Sequence, residues 1–256
     1  MIVRPVKGEV RLITQHDHAR AAGTLARRWV GGNALPPLPG GSRKAFYFAV
    51  DNHDVGWCRH DASPRLDPAT NLPFSFFGTT AEEATEIWTE GVAFCEAHRP
   101  FAGYMVSVHF CTLAEAGLSG APPEELGFLQ KFVRAEHERQ AALVRCMSGE
   151  ENACKEKAAF LLRACDTLSL LACRAPEIMP PEGRTHPLAG SGLRVRSAGG
   201  DTLEVGPWPF DAESLSLRFP GLTIQRGRFE SGEDLEEALR VAEPAVYVSL
   251  LTPLRN

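Results

Sequence analysis

The chain has 256 residues, 44% hydrophobic and 23% charged, the balance of a soluble globular protein large enough to bury a substantial core. Its formal net charge of -5 supplies no basic footprint, so neither nucleic acid nor an anionic membrane is expected as a partner. No stretch reaches the roughly 18 uninterrupted apolar residues of a membrane span, and the charged opening MIVRPVKGEVRLITQ lacks the apolar core of a signal peptide.

Met1 to Thr14 alternates apolar and polar residues around Lys7 and Gly8, which predicts a hairpin. Ala21, Ala22, Leu25, Ala26 and Trp29 recur at helical spacing, placing a helix start near His16 or His18 with Asp17 as its cap. Residues 31 to 41, rich in Gly and Pro, are expected to be loop. A second helix runs from about Ser42 to His53 and Asp54, where Gly56 can stop it. Residues 58 to 78 form a long irregular stretch, a kind of segment that often lines a site. Helical patterns follow at 80–98, 101–115, 124–147 and 152–173, with Pro176, Pro180 and Pro181 ending the last.

Beyond Pro187 the pattern changes to short strand-like runs at 192–196, 203–205, 215–219, 222–228 and 246–251, with one helical insert at 234–241. The expected fold is therefore α+β: a helical metal-binding body over residues 1–180, with the N-terminal hairpin, and a small β-rich segment over 187–256 packed on it. The hairpin is free to pair with that segment and make one unit. Seven cysteines, an odd number without a CxxC pair, four of them in helical patterns, suggest reduced thiols in a cytoplasmic protein.

The stretch AVDNHDVGW sets His53 and Asp54 side by side at the end of an apolar helix. His18 opens the first helix, followed by small residues that permit close packing, and His109 and Asp166 each interrupt a largely apolar helical run. An ionised Asp in such a run needs a cation, a donor network or a helix terminus, because uncompensated burial costs several kcal/mol. Each residue has an ordinary alternative: His18 decorating a helix start, His109 bonded to a carbonyl in the core, Asp166 paired with Arg163 or Arg174 on a wet face. A metal ion held where helices converge would satisfy all of them at once.

The order His18, His53 with Asp54, then Asp166 resembles the HD superfamily of metal-dependent phosphohydrolases, in which such residues bind a divalent metal inside a helical bundle. More narrowly, QHDHARAAGTLARRW, HDVGW, the Pro-rich loop with Pro64, Leu66 and Asp67, SVHF at 107–110, CDTLSLLAC at 165–173 and WPF at 208–210 resemble the DUF3891 domain family of bacterial proteins. The chain departs from many HD hydrolases in having Trp57 rather than Lys after Gly56, and basic groups nearby are sparse, with Arg59 and Arg65 the main ones. A dinuclear branch of the superfamily, which includes iron-dependent oxygenases, uses extra histidines, and His109 could serve such a second ion, with the more exposed His137 a weaker candidate.

Two imidazoles and two carboxylates suit Fe, Mn, Co or Zn better than Ca, with one or two ions expected. The resemblance implies a hydrolase in which a metal-activated water attacks a small-molecule phosphoester. His18, His53, Asp54 and Asp166 would hold the first ion, Asp54 would bridge to a second held partly by His109, and Asp54 and His109 would take part in catalysis. Trp57 and Phe76 would wall the pocket, and Trp57, His60, Asp61, Arg65 and Asp67 would meet substrate or move protons. The competing expectations are a di-iron oxygenase on the same ligands and a non-catalytic, metal-stabilised sensor or interaction module. Oligomeric state is not readable from the sequence.

Overall fold

A computed structural model describes residues 1–6, 8–32, 34–173, 185–188 (backbone only) and 192–255. The chain opens with strands β1 (Ile2–Val6) and β2 (Glu9–Ile13), paired antiparallel across a turn in which Gly8 takes a φ of +90°. Helix α1 (Gln15–Arg28) follows, capped by Thr14, whose side chain accepts from the Asp17 backbone N–H. Asp17 is thus not the cap as predicted; its carboxylate accepts the Thr14 hydroxyl proton from inside the first turn, where an acidic group favours the helix dipole.

Helix α2 (Gly40–Asn52) ends one residue before His53, and a 3-10 turn (Val55–Trp57) leads into the short helix α3 (Cys58–Asp61). The predicted irregular stretch contains a two-stranded ribbon, β3 (Leu66–Asp67) and β4 (Leu72–Pro73), closed by Asn71 in the left-handed region at φ 57°. Four long helices come next: α4 (Ala81–His98), α5 (Pro100–Leu118), α6 (Pro123–Cys146) and α7 (Gly149–Ala172). Pro100 and Pro123 occupy first turns, where the missing N–H costs nothing. A capping box, Ser148 with Glu151, starts α7 three residues earlier than the predicted Asn152. Glu151 is buried and also receives Ser42 Oγ at 2.8 Å and Arg99 Nε at 2.7 Å, so one carboxylate ties α7 to α2 and to the α4–α5 junction. The prolines expected to end α7 lie outside the described residues.

Strands β5 (Thr185–Leu188), β6 (Leu193–Ser197), β7 (Thr202–Gly206), β8 (Leu215–Ile224) and β9 (Glu243–Pro253) complete the chain, with helix α8 (Gly232–Arg240) before β9. Together with the hairpin they form one seven-stranded sheet in the order β1-β2-β8-β9-β7-β6-β5, antiparallel except for the β7–β9 pair. The fold class is α+β, but the sheet is larger than the small hairpin and segment expected. The hairpin joins the C-terminal strands through β2 and β8, with Val10 opposite Ile224. The two predicted runs at 215–219 and 222–228 are one strand as far as Ile224: Pro220 and Gly221 continue the ladder with β9 instead of breaking it.

The sheet has apolar residues on both faces. Ile2, Ile13, Val195, Leu217, Phe219 and Leu251 join the helical core, so helices and sheet share one interior. The opposite face of the hairpin puts Val3, Val10 and Leu12 with Ile224, Phe229 and Leu235 in a smaller core under α8. The WPF segment is an anchor: Trp29 pairs with Phe210, and the Val30 and Gly31 N–H groups both donate to the Pro209 carbonyl at 2.8 Å. Helix α1 packs against α2 and α7, and α5 packs against α2 and α7, so these four helices meet around one axis.

Candidate metal centre

At that meeting point stand four side chains from three helices. His18 comes from the first turn of α1, His53 and Asp54 from the end of α2, and Asp166 from the middle of α7. Each offers a ligand atom, and those atoms all lie within 4.8 Å of one another. His18 Nε2 lies 3.0 Å from Asp54 Oδ2 and 3.2 Å from Asp166 Oδ1; His53 Nε2 lies 3.4 and 3.3 Å from the same two atoms. Both imidazoles are fully buried and the carboxylates nearly so.

The orientation of each ring is set from behind. His53 Nδ1 donates to the Val50 carbonyl at 2.9 Å. His18 Nδ1 lies 2.6 Å from Ser169 Oγ, whose own hydroxyl proton goes to the Asp166 carbonyl at 2.9 Å, so the serine oxygen accepts from the imidazole. With both Nδ1 protons committed, the two Nε2 lone pairs face two carboxylate oxygens, an arrangement that repels unless a cation stands among them. That cation is a proton on the imidazoles or a metal ion, and a divalent ion balances the two carboxylates. The donor set fits a transition metal, and fixing Nδ1 by a carbonyl or hydroxyl is how metal-ligating histidines are commonly oriented.

The proton affinities carry the same message. Burial pulls the His18 imidazolium toward neutrality, but hydrogen bonds to Asp166 and Asp54 outweigh it and push its pKa up to about 9. His53 is raised too, burial being outweighed by Asp54 and Asp166. Burial alone would lift the Asp166 carboxyl, yet the hydrogen bonds from His18 and His53 hold it far below the usual carboxylate range, and Asp54 is lowered against burial by His53 and His18. Among the described residues the ion-pair partners of Asp166 are the imidazoles and not Arg163, and at 6% exposure it is not on a wet face; Arg174, the other expected partner, lies outside the described residues.

His109, on α5, is 2% exposed and stands beside the group rather than in it. Its Nε2 is 3.9 Å from Asp166 Oδ2, the oxygen turned away from His18 and His53, and its Nδ1 has no hydrogen-bond partner among the described residues. The carboxylate shared between His109 and the main group is therefore Asp166, where the sequence expectation was Asp54. Burial pushes His109 down to about 4. His137 is exposed and pairs with Glu115 at 3.4 Å, away from the centre.

In front of the group opens a cleft of about 1090 Å3, lined by Asp54, His109 and Asp166 but by neither His18 nor His53, which lie behind them. Of the predicted substrate residues, Trp57 lines this cleft, as does Phe76. His60, Asp61 and Arg65 line a separate pocket of about 250 Å3 on the other side of Trp57. Asp61 is buried, accepting the Gln15 N–H at 2.6 Å and pairing with the Met1 amine at 2.7 Å, so it pins the start of α1 to β1. Arg65 pairs with Glu83 at 2.9 Å and lies over the Phe74 ring. Asp67 accepts from the Ala69 N–H and the Thr70 hydroxyl and shapes the β3–β4 turn. These last three are thus committed to the scaffold: Asp61 to the start of α1 and the Met1 amine, Arg65 to Glu83 on α4, and Asp67 to its own turn.

Two residues escaped the sequence reading. Ser169 follows Asp166 by three positions on α7, a polar residue inside an apolar run, which was the available signal. Gln15 is 3% exposed, lines the cleft, and has a side-chain oxygen without a partner among the described residues; next to a helix cap, nothing local distinguishes it.

All seven cysteines are free thiols, and no helix among the described residues is long and apolar enough to cross a membrane. No curated protein and no solved structure matches the chain. A family profile does, over residues 1–226, and the chain belongs to that family, described as "Protein of unknown function (DUF3891)".

Proposed function

We propose that this protein is a metal-dependent hydrolase that cleaves a phosphoester with a metal-activated water. The observation that carries the reading is the buried set His18, His53, Asp54 and Asp166, its ligand atoms within 4.8 Å, with a cleft lined by Asp54 and Asp166 beside it. The order of these residues along the chain, similar to that of the HD phosphohydrolases, supports it. A purely structural ion would need no such cleft, which counts against the sensor or interaction module.

His18, His53, Asp54 and Asp166 would hold the ion. When bound there, a divalent transition metal lowers the pKa of a coordinated water toward neutrality and polarises a substrate oxygen. Ser169 and the Val50 carbonyl hold the two rings by Nδ1 and so would keep their Nε2 atoms free to bind the ion. Asp54 and His109, both on the cleft surface, are placed to take the proton that the attacking water releases. Trp57 closes the cleft wall beside Asp54 and limits bulk water there.

The position of His109 against Asp166 Oδ2 favours a second reading, a di-iron centre that activates oxygen. Elemental analysis of protein purified without a His tag separates the two. One ion per chain with hydrolysis of 4-nitrophenyl phosphoesters under anaerobic conditions supports the hydrolase. Two irons per chain with substrate-dependent oxygen uptake supports the oxygenase. Metal-free protein whose melting temperature ignores both chelator and added metal overturns both.

A further inference from the structure

The walls of the cleft carry information that the metal group does not. Trp57, Phe76, Trp88, Phe110, Leu129 and Leu171 line it, and among the described residues no Lys or Arg does. Phe77 and Leu113, 42% and 41% exposed, stand on its lining as well, so apolar surface continues out to solvent. Besides the metal group, the described lining has one carboxylate, Glu125, whose Oε2 already accepts the Ala81 N–H at 3.0 Å. Among the described residues, its buried side-chain polar atoms without a hydrogen-bond partner are His109 Nδ1 and the neutral side-chain oxygen of Gln15. Among the described residues a polyphosphate or a nucleotide would meet no cation in this space beyond the metal, whereas an alkyl or aryl body would find walls of matching chemistry. Ala116, Gly117, Gly120 and Ala121 leave the space open where larger residues would fill it.

We infer that the substrate is a phosphodiester with a large apolar substituent, presenting one negative charge to the metal end of the cleft and its alkyl or aryl body to the aromatic walls. The inference rests on the hydrolase reading for the reaction, and on the cleft alone for the binding. In the reaction the oxygen of water bonds to phosphorus, one P–O ester bond breaks, one water proton ends on the departing alkoxide, and the other is released as the phosphomonoester forms. Neither oxidant nor further co-reactant is needed.

The test uses the metal-loaded protein and methyl, butyl and octyl 4-nitrophenyl phosphodiesters, with thymidine 5'-(4-nitrophenyl phosphate) as the polar comparator. The expected result is a KM that falls up to about fourfold per added methylene until the cleft is filled, with the thymidine ester the poorest. Gly120→Trp, at a position where a Cβ meets nothing within 4 Å, should abolish the chain-length dependence. A flat series, or a thymidine ester with a KM at or below that of the octyl ester, overturns the inference and leaves the hydrolase standing. If no ester is hydrolysed with any metal, the hydrolase reading fails, and the binding half is read separately. Quenching of Trp57 and Trp88 fluorescence by butyl- and octylphosphonate should then tighten with chain length, and equal affinities overturn the apolar site.

Discussion

Gly56 lies so close to the carbonyl oxygen of Ile87 on α4 that a Cβ added there would stand 2.1 Å from it. Gly91, one turn further along α4, leaves room for the His53 carbonyl, where a Cβ would come within 2.8 Å. The two glycines let α4 press directly on the turn that carries His53 and Asp54. Gly56 therefore serves close packing; it is absent from the positive-φ positions, so it is not the left-handed stop expected of it. Gly56→Ala is predicted to cost about 1–3 kcal/mol or more, since backbone rather than a mobile side chain must yield, and to lower metal occupancy along with the melting temperature. Calorimetry with metal analysis checks it; a variant that melts with the wild type would show that the turn has slack.

Ser169→Ala removes the acceptor that fixes His18 Nδ1. Metal affinity should fall about 10- to 100-fold, judged from the usual effect of losing such an outer partner. Folding should suffer by only about 1–2 kcal/mol. Competition against a fluorescent chelator measures the first and urea unfolding of the metal-free protein the second. Equal metal affinity in wild type and variant would remove Ser169 from the role given to it.

Asp54→Ala and His109→Ala should separate the two tiers of the site. Asp54→Ala is expected to empty the metal position by a large factor while far-ultraviolet circular dichroism stays that of the parent. His109→Ala should retain one ion per chain, because its Nε2 is outside the group whose ligand atoms converge, yet lose most of the hydrolysis rate. Loss of the first ion on replacing His109 would contradict that division.

The metal-free protein should respond to pH through His18. Its pKa is about 9 in the folded chain against 6.5 for an ordinary imidazole, so the protonated form is favoured by folding. The resulting stability, on the order of 3 kcal/mol, is fully present below pH 6.5 and is lost as pH rises through 9. In chelator-treated protein, unfolding free energy should decline across that window. At saturating metal the decline should vanish, because the bound imidazole carries no proton to lose, and apparent metal affinity should climb with pH over the same range. A metal-free stability that stays level from pH 6.5 to 9 would refute the proton-holding arrangement of these four side chains.

The helices, their order and four of the candidate ligands were legible along the chain. Helical periodicity reports which face is buried, and an imidazole or carboxylate inside an apolar run is costly enough to announce that something pairs with it. His18, His53, Asp54 and Asp166 stood out for that reason and do converge. Asp61, Arg65 and Asp67 stood in a polar loop, where charge has no such cost, and their neighbours in space turned out to be a chain terminus, a helix residue and a turn.

What the sequence by itself determined is the local content: where helices run, which ionisable groups enter the core, and that the composition calls for a large interior. Tertiary structure alone decided that the hairpin completes a seven-stranded sheet, that Asp166 rather than Asp54 faces His109, and that the space before the candidate metal group has aromatic walls with no cation among the described residues. The physical reason is that periodicity encodes a residue's direction relative to its own helix or strand. Register between strands, the partner of each carboxylate oxygen and the lining of a cleft depend on how separate elements dock, and docking is settled by the summed packing of the whole core.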